Sequence, residues 1–180
     1  MKTKFKLIAG LGNPSDKYEQ TYHNAGSLFV KYLTEKEGEA TRFKTSSSKL
    51  FQYSKSGEMI FLLTEVFMNE SGKAIKDAIE YFNLKPEEVL ICHDDSDITI
   101  GDYKITFEQS SAGHKGIDSI ITTLNTNKFW RLRLGIRPAE EKVRQKAEAF
   151  VLKKISKVGL DQLKSAFEKA AQEISPLAES

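Results

Sequence analysis

Several defining features of whole protein classes are missing from this chain. It has one cysteine, so no internal disulfide can staple it, and the neighbours Val89, Leu90 and Ile91 put Cys92 in a buried strand, which suits a reducing compartment. No apolar run approaches the length that spans a bilayer. The N-terminus runs from alternating lysines straight into a strand-like segment, without the apolar stretch or small-residue cleavage site of a secretion signal, and a cytoplasmic protein is expected. Charge of one sign is scarce too: 27 Lys and Arg against 25 Asp and Glu leave +2, too little to mark a nucleic-acid-binding protein by its sum. Its distribution says more, because residues 128–157 hold ten Lys or Arg against three Glu, a bias that attracts phosphate or forms a solvated face.

Standard catalytic motifs are nearly present and fail for definable reasons. Gly10-x-Gly12 follows a strand, but the third glycine of a dinucleotide fingerprint is Ser15 and Pro14 interrupts the turn, which leaves a nucleotide-dependent oxidoreductase as a remote alternative. Ser71-Gly72-Lys73-Ala74 lacks the upstream glycine and the closing Ser or Thr of a P-loop. No serine stands in a Gly-x-Ser-x-Gly elbow and the only thiol lies in a core strand, so a covalent acyl-enzyme has no evident nucleophile and water becomes the attacking group. The acidic run Asp94, Asp95, Asp97 and Asp102 beside His93 has the charge to hold a cation, but Ile100 occupies the position where an EF-hand needs its turn glycine, and no metal site is expected.

What is present describes one globular domain over residues 1–180, with 39% hydrophobic and 29% charged residues. Strands are expected at 5–11, 50–54, 59–64, 89–92, 103–107 and 131–136, with a hairpin turn at Ser56-Gly57 and a loop over Thr41 to Ser48. Helical spacing of apolar residues places one helix from Asn24 to a stop at Gly38, a second through Ala74, Ile75, Ala78, Ile79 and Phe82, a third through Ile117, Ile120, Ile121 and Leu124, and a fourth from about Leu160 to Ile174. Strands alternating with helices predict an α/β sandwich: a mixed sheet, parallel in its middle, covered by helices on both faces. Ligands in such sheets bind beyond the strand C-termini. Asn13 at the end of one strand, His23 at the start of a helix and Asp94 at the end of another strand all fall at that edge.

Hydrolysis by water needs a base, an acceptor that orients the base, and donors for the developing oxyanion. His23 suits the first role, since a helix N-terminus disfavours the imidazolium form, and Asp94 suits the second by accepting the other ring proton. Each residue taken singly also has a plainer role. His23 and Asn24 open a helix, Asn13 supplies a turn beside Pro14, Asn69 is an N-cap, Asp94 a solvated acid, and His114 the start of a helix after Gly113.

Taken together, G-L-G-N-P at 10–14 with H-N-A-G at 23–26, F-M-N-E-S-G-K-A at 67–74 and H-D-D-S-D at 93–97, followed by G-H-K-G at 113–116 and F-W-R-L-R-L-G-I at 129–136, resemble the bacterial peptidyl-tRNA hydrolase family. The resemblance covers nearly the whole chain. It implies cleavage of the ester between a peptide and the tRNA 3′ ribose, which recycles tRNA in translation, by a cytoplasmic monomer without metal or cofactor. By position, His23 matches the family's base and Asp94 its orienting partner. Asn13, Tyr18, Met68, Asn69, His114 and Lys115 match positions that line the substrate channel, and Arg133 matches a residue that clamps a tRNA phosphate. The clamp's partner lysine falls at Thr106, with Lys104 near; the family's glycine-rich stretch reads Glu108-Gln109-Ser110-Ser111-Ala112; and the asparagine after His114 is Lys115. These departures leave a second reading, a non-catalytic RNA-binding relative that keeps the fold.

Overall fold

The structure, a computed structural model, describes residues 5–36, 42–140 and 150–178. Seven strands form one sheet in the order β2-β3-β4-β1-β5-β7-β6. They are β1 (Leu7–Gly10), β2 (Lys44–Thr45), β3 (Phe51–Ser56), β4 (Met59–Thr64), β5 (Val89–Thr99), β6 (Tyr103–Phe107) and β7 (Trp130–Arg137). The central four, β4, β1, β5 and β7, run parallel, while β3 and β2 on one flank and β6 on the other pair antiparallel. The expected centrally parallel mixed sheet is what the chain forms.

Helices α1 (Ala25–Lys36) and α4 (Lys157–Ala178) cover one face, and α2 (Ser71–Tyr81) and α3 (Lys115–Leu124) the other. The period-2 alternation of strand side chains splits the core accordingly. Ile8, Leu90, Cys92, Leu132 and Leu134 meet Phe29 and Val30 of α1 and Leu163, Phe167 and Ala170 of α4, whereas Leu7, Ala9, Leu62 and Ile91 meet Ile75 and Ala78 of α2 and Ile117 and Ile120 of α3. Among the described residues no helix is long and apolar enough to cross a membrane.

Three expectations need correction. The segment 89–92 does not stop there: β5 continues to Thr99, so His93, Asp94 and Asp95 lie within the strand, because β7 offers partners as far as Arg137 and a register shift between Asp95 and Thr99 absorbs the irregularity. Polar side chains at the sheet's edge end the apolar pattern without ending the hydrogen bonding. The stretch after Thr41 contains β2, whose two residues pair with Tyr53 and Gln52. The last helix begins at Lys157, three residues before the expected start. The helix stop expected at Gly38 lies outside the described residues, as does the middle of the basic stretch at 141–149.

Candidate active site

The site begins with the packing of α1 on the sheet. Gly26 passes so close to β5 that a Cβ there would stand 2.0 Å from the Cys92 carbonyl oxygen, so only glycine lets the helix approach. That approach brings the short turn Tyr22–Asn24, which opens α1, to the C-terminal half of β5. A segment that sequence reasoning missed pins the turn from the other side. His23 N–H donates to the Val151 carbonyl at 2.8 Å, Tyr22 N–H to Lys153 at 3.2 Å, and Ile155 N–H back to Gln20 at 2.9 Å, while the Tyr22 and Phe150 rings stack at 4.3 Å.

His23 Nδ1 then lies 2.8 Å from Asp94 Oδ1, and His114 Nε2 lies 2.8 Å from the same oxygen. Asp94 is 2% exposed. Burial alone would push its carboxyl up, but His23 and His114, by charge and hydrogen bonding, hold it well below the usual carboxylate range. An ionised carboxylate only accepts, so both rings donate to it. For His23 this leaves Nε2 as the nitrogen that can take a proton. The tautomer of His114 is fixed twice over, since its Nδ1 accepts from the amides of Gly116 at 3.2 Å and Ile117 at 3.3 Å as the N-cap of α3. His114 therefore fills the plain role of helix start and also faces the acid. His93, the third imidazole, is buried: its Nδ1 donates to the Asp94 carbonyl at 2.7 Å, and burial, with His114 and Arg131 nearby, draws its pKa well below the usual value.

A cleft of about 430 Å³ opens above this pair. Its walls carry Asn13, His23, Met68, Asn69, Asp94, His114 and Lys115, which brings seven of the nine sequence-singled residues together. Asn13 is oriented with some exactness. Its Oδ1 accepts from Met68 N–H at 2.8 Å and its backbone pairs twice with the Asn24 amide, so Nδ2 is left as a donor. Met68 is buried against Gly116, where a Cβ would stand 2.5 Å from its sulfur. Tyr18 does not line the cleft; it packs edge-on against Phe67 with ring centroids 6.4 Å apart. Phe67 and Leu152, 51% and 50% exposed, form an apolar rim absent from the expected set. Exposed apolar side chains carry no local sequence signal that separates them from core.

Arg133 also stands apart, on β7, where its Nε donates to Asp95 Oδ2 at 2.7 Å. Its neighbour across the antiparallel pair is Lys104, exposed, while Thr106 stands opposite Arg131 with its hydroxyl buried and unpaired among the described residues. The cation in register with Arg133 is thus Lys104.

The ligand atoms of His23, Asp94 and His114 lie within 4.8 Å of one another, compact enough for an ion. The donor chemistry opposes one. With Nδ1 of His114 engaged by two amides, Nε2 carries the ring's proton, and a cation there would require either an anionic ring or the loss of the helix cap.

An imidazole hydrogen-bonded to a buried carboxylate at the C-terminal edge of a parallel sheet, with an amide donor on the same cleft, fits one class of protein: a hydrolase built on a mixed α/β sheet. Comparison with known proteins narrows this. The family profile of peptidyl-tRNA hydrolase matches residues 7–180. A peptidyl-tRNA hydrolase of Lactobacillus johnsonii is 46% identical over 137 residues, 75% of this chain and 74% of that one, and that of Marinobacter nauticus 38% over 165 residues, 90% and 83% respectively. The crystal structure of the peptidyl-tRNA hydrolase from Acinetobacter baumannii superposes with a TM-score of 0.87 at 28% identity, covering 99% of this chain and 91% of that one. The chain belongs to the peptidyl-tRNA hydrolase family.

Proposed function

We propose that this cleft hydrolyses the ester joining a peptide to the 3′ ribose of tRNA, with His23 as general base and Asp94 as its orienting partner. The observation that carries the reading is the 2.8 Å contact between His23 Nδ1 and Asp94 Oδ1 on the wall of the cleft. Nε2 takes a proton from the attacking water as its oxygen bonds to the ester carbonyl carbon. The carbonyl oxygen gathers negative charge, which Asn13 Nδ2 meets as a hydrogen-bond donor, joined by the exposed amide of Asn69. As the intermediate collapses, the proton passes from His23 to the ribose oxygen, and free peptide and tRNA leave. Asp94 stays ionised and holds the ring through the cycle.

Arg133 and Lys104 supply phosphate contacts on the β7–β6 face, fixing register on the tRNA without reading its sequence. Tyr18 acts through Phe67, and His114 and Lys115 bound the substrate channel opposite His23. The enzyme works as a cytoplasmic monomer, one domain over 1–180, and without metal, for which the tautomer of His114 is the support.

The test is incubation of the purified full chain with a peptidyl-tRNA, with and without chelator, beside His23→Ala. Release of peptide that ignores chelator and nearly vanishes in the variant is expected. Tight tRNA binding with no release by the wild type would support the non-catalytic relative instead, and loss of activity with chelator would overturn the metal-free reading.

A further inference from the structure

Arg131 is a buried cation, 3% exposed, with no part in the chemistry above. It shares with Ile91 the sheet face that α3 covers. The carboxylate of Asp95 on the neighbouring strand is taken by Arg133. Arg131 instead donates from Nη2 to the Ser110 carbonyl at 2.9 Å. Burial draws its pKa down to about 10, so the guanidinium remains charged at neutral pH. With Asp95 acting on it only through space and Arg133 repelling it, the buried guanidinium commits its hydrogen bond to a main-chain oxygen, a costly arrangement unless that oxygen has to be held.

Ser110 belongs to the connection between β6 and α3, a segment under strain. Glu108 and Ala112 adopt left-handed φ values of 55° and 51°, a region where side chains with a Cβ are disfavoured. Such conformations persist only where surrounding contacts over-determine them. Two of the bonds here are internal: Gly113 N–H to Ser111 Oγ at 3.2 Å and His114 N–H to the Ser111 carbonyl at 3.1 Å. Toward the sheet run the long 3.4 Å bond from Glu108 N–H to Phe129 and the shorter one from Arg131 to Ser110. The segment then ends at His114, whose ring reaches Asp94 Oδ1.

We propose that Arg131 is a positioning residue for the hydrolysis: by gripping the Ser110 carbonyl it latches residues 108–114 onto the sheet, keeping His114 against Asp94 and Ser111–Lys115 in place as the second wall of the cleft. The rate part of this rests on the hydrolase reading; the latch itself does not.

The experiment compares Arg131→Met, Arg131→Lys and Arg133→Met in the full chain. Amide hydrogen exchange is read first. Arg131→Met should speed exchange at Ser111–Lys115 about tenfold or more while α1 amides stay unchanged, and Arg131→Lys, which still offers a charged donor, should fall between. In steady-state hydrolysis Arg131→Met should lower kcat about tenfold with KM within about twofold and the same salt dependence, partly rescued by lysine. Arg133→Met should do the reverse, raising KM and flattening the salt dependence. Unchanged exchange in the segment would overturn the latch, and so would a KM effect with a shallower salt slope, which would make Arg131 a phosphate contact. Faster exchange throughout the chain without rescue by lysine would also count against it, as a general loss of structure. A wild type that hydrolyses no peptidyl-tRNA would fail the functional reading, while the exchange result would still decide the latch.

Discussion

The two walls of the cleft reach similar closeness by different means. On the His23 side, main chain lies against main chain: Gly26 rides on the Cys92 carbonyl, and the turn at 22–24 hangs from Val151 and Lys153 by amide bonds. On the opposite side, a connection with two left-handed non-glycine residues is held by a side chain from the sheet beneath it. The first wall depends on volume and tolerates no extra methyl group; the second depends on a polar tie that holds a strained backbone in place. Altering each wall in turn separates the two.

The largest effect is expected at the base. His23→Ala should lower kcat by about 10²–10⁴-fold, since general-base catalysis has that worth, and lower the melting temperature as well, because buried Asp94 loses one of its two ring donors. Asp94→Asn should follow with a loss of about 10²-fold. Its pH dependence has a definite sign: a carboxyl whose folded pKa is depressed adds stability above its unfolded value, near 4, and loses it as pH falls through the folded value. Unfolding midpoints of wild type and Asp94→Asn measured from pH 7 downward should therefore keep a constant gap until about pH 4 and converge below it. A gap that closed between pH 5 and 7 would contradict an Asp94 ionised throughout that range.

Gly26→Ala probes the rigid wall directly. It should cost about 1–3 kcal/mol by thermal or urea unfolding and, under folding conditions, slow hydrolysis by moving His23 from Asp94. In the strained wall, Glu108→Gly with Ala112→Gly should have the opposite sign, raising stability by about 0.5–1 kcal/mol per site as the left-handed strain is relieved and offset in part by glycine's entropy. A shift in hydrolysis rate with it would tie backbone freedom there to access; an unaltered rate would confine the departure to stability. Lys115→Asn should be the mildest, within about threefold in kcat, because the residue lines the channel and the contact between His23 and Asp94 forms directly between those two side chains. Separate kcat and KM values would tell whether its cation serves the phosphate or the oxyanion.

How far the sequence could be read followed from how local each signal was. The turn at His23, the α2 and α3 faces and the run Val89–Cys92 were legible because period and punctuation coincide within a dozen residues. Membership of Asn13, His23, Asp94 and Asn69 in one site was legible from motif order, and the cleft brings them together. The tie from 150–155 to the His23 turn was not, since it joins segments more than 120 residues apart by backbone bonds that any side chains could make. Nor was the extension of β5: its last residues are Asp, Ser, Asp, Ile and Thr, which read as a loop until β7 supplies partners. The match of Lys104 rather than Thr106 to Arg133 depends on strand register: the two share one face of β6, and only the pairing with β7 tells which of them stands beside Arg133.

One oxygen of Asp94 serves both histidines, so the two walls meet at this acid. A movement of the loop side of the cleft would therefore disturb the carboxylate that also contacts His23. Lifting that side would strip the carboxylate of one of its two donors, so under the proposed mechanism admission of a bulky ester and readiness to cut it would belong to different moments of the same cycle.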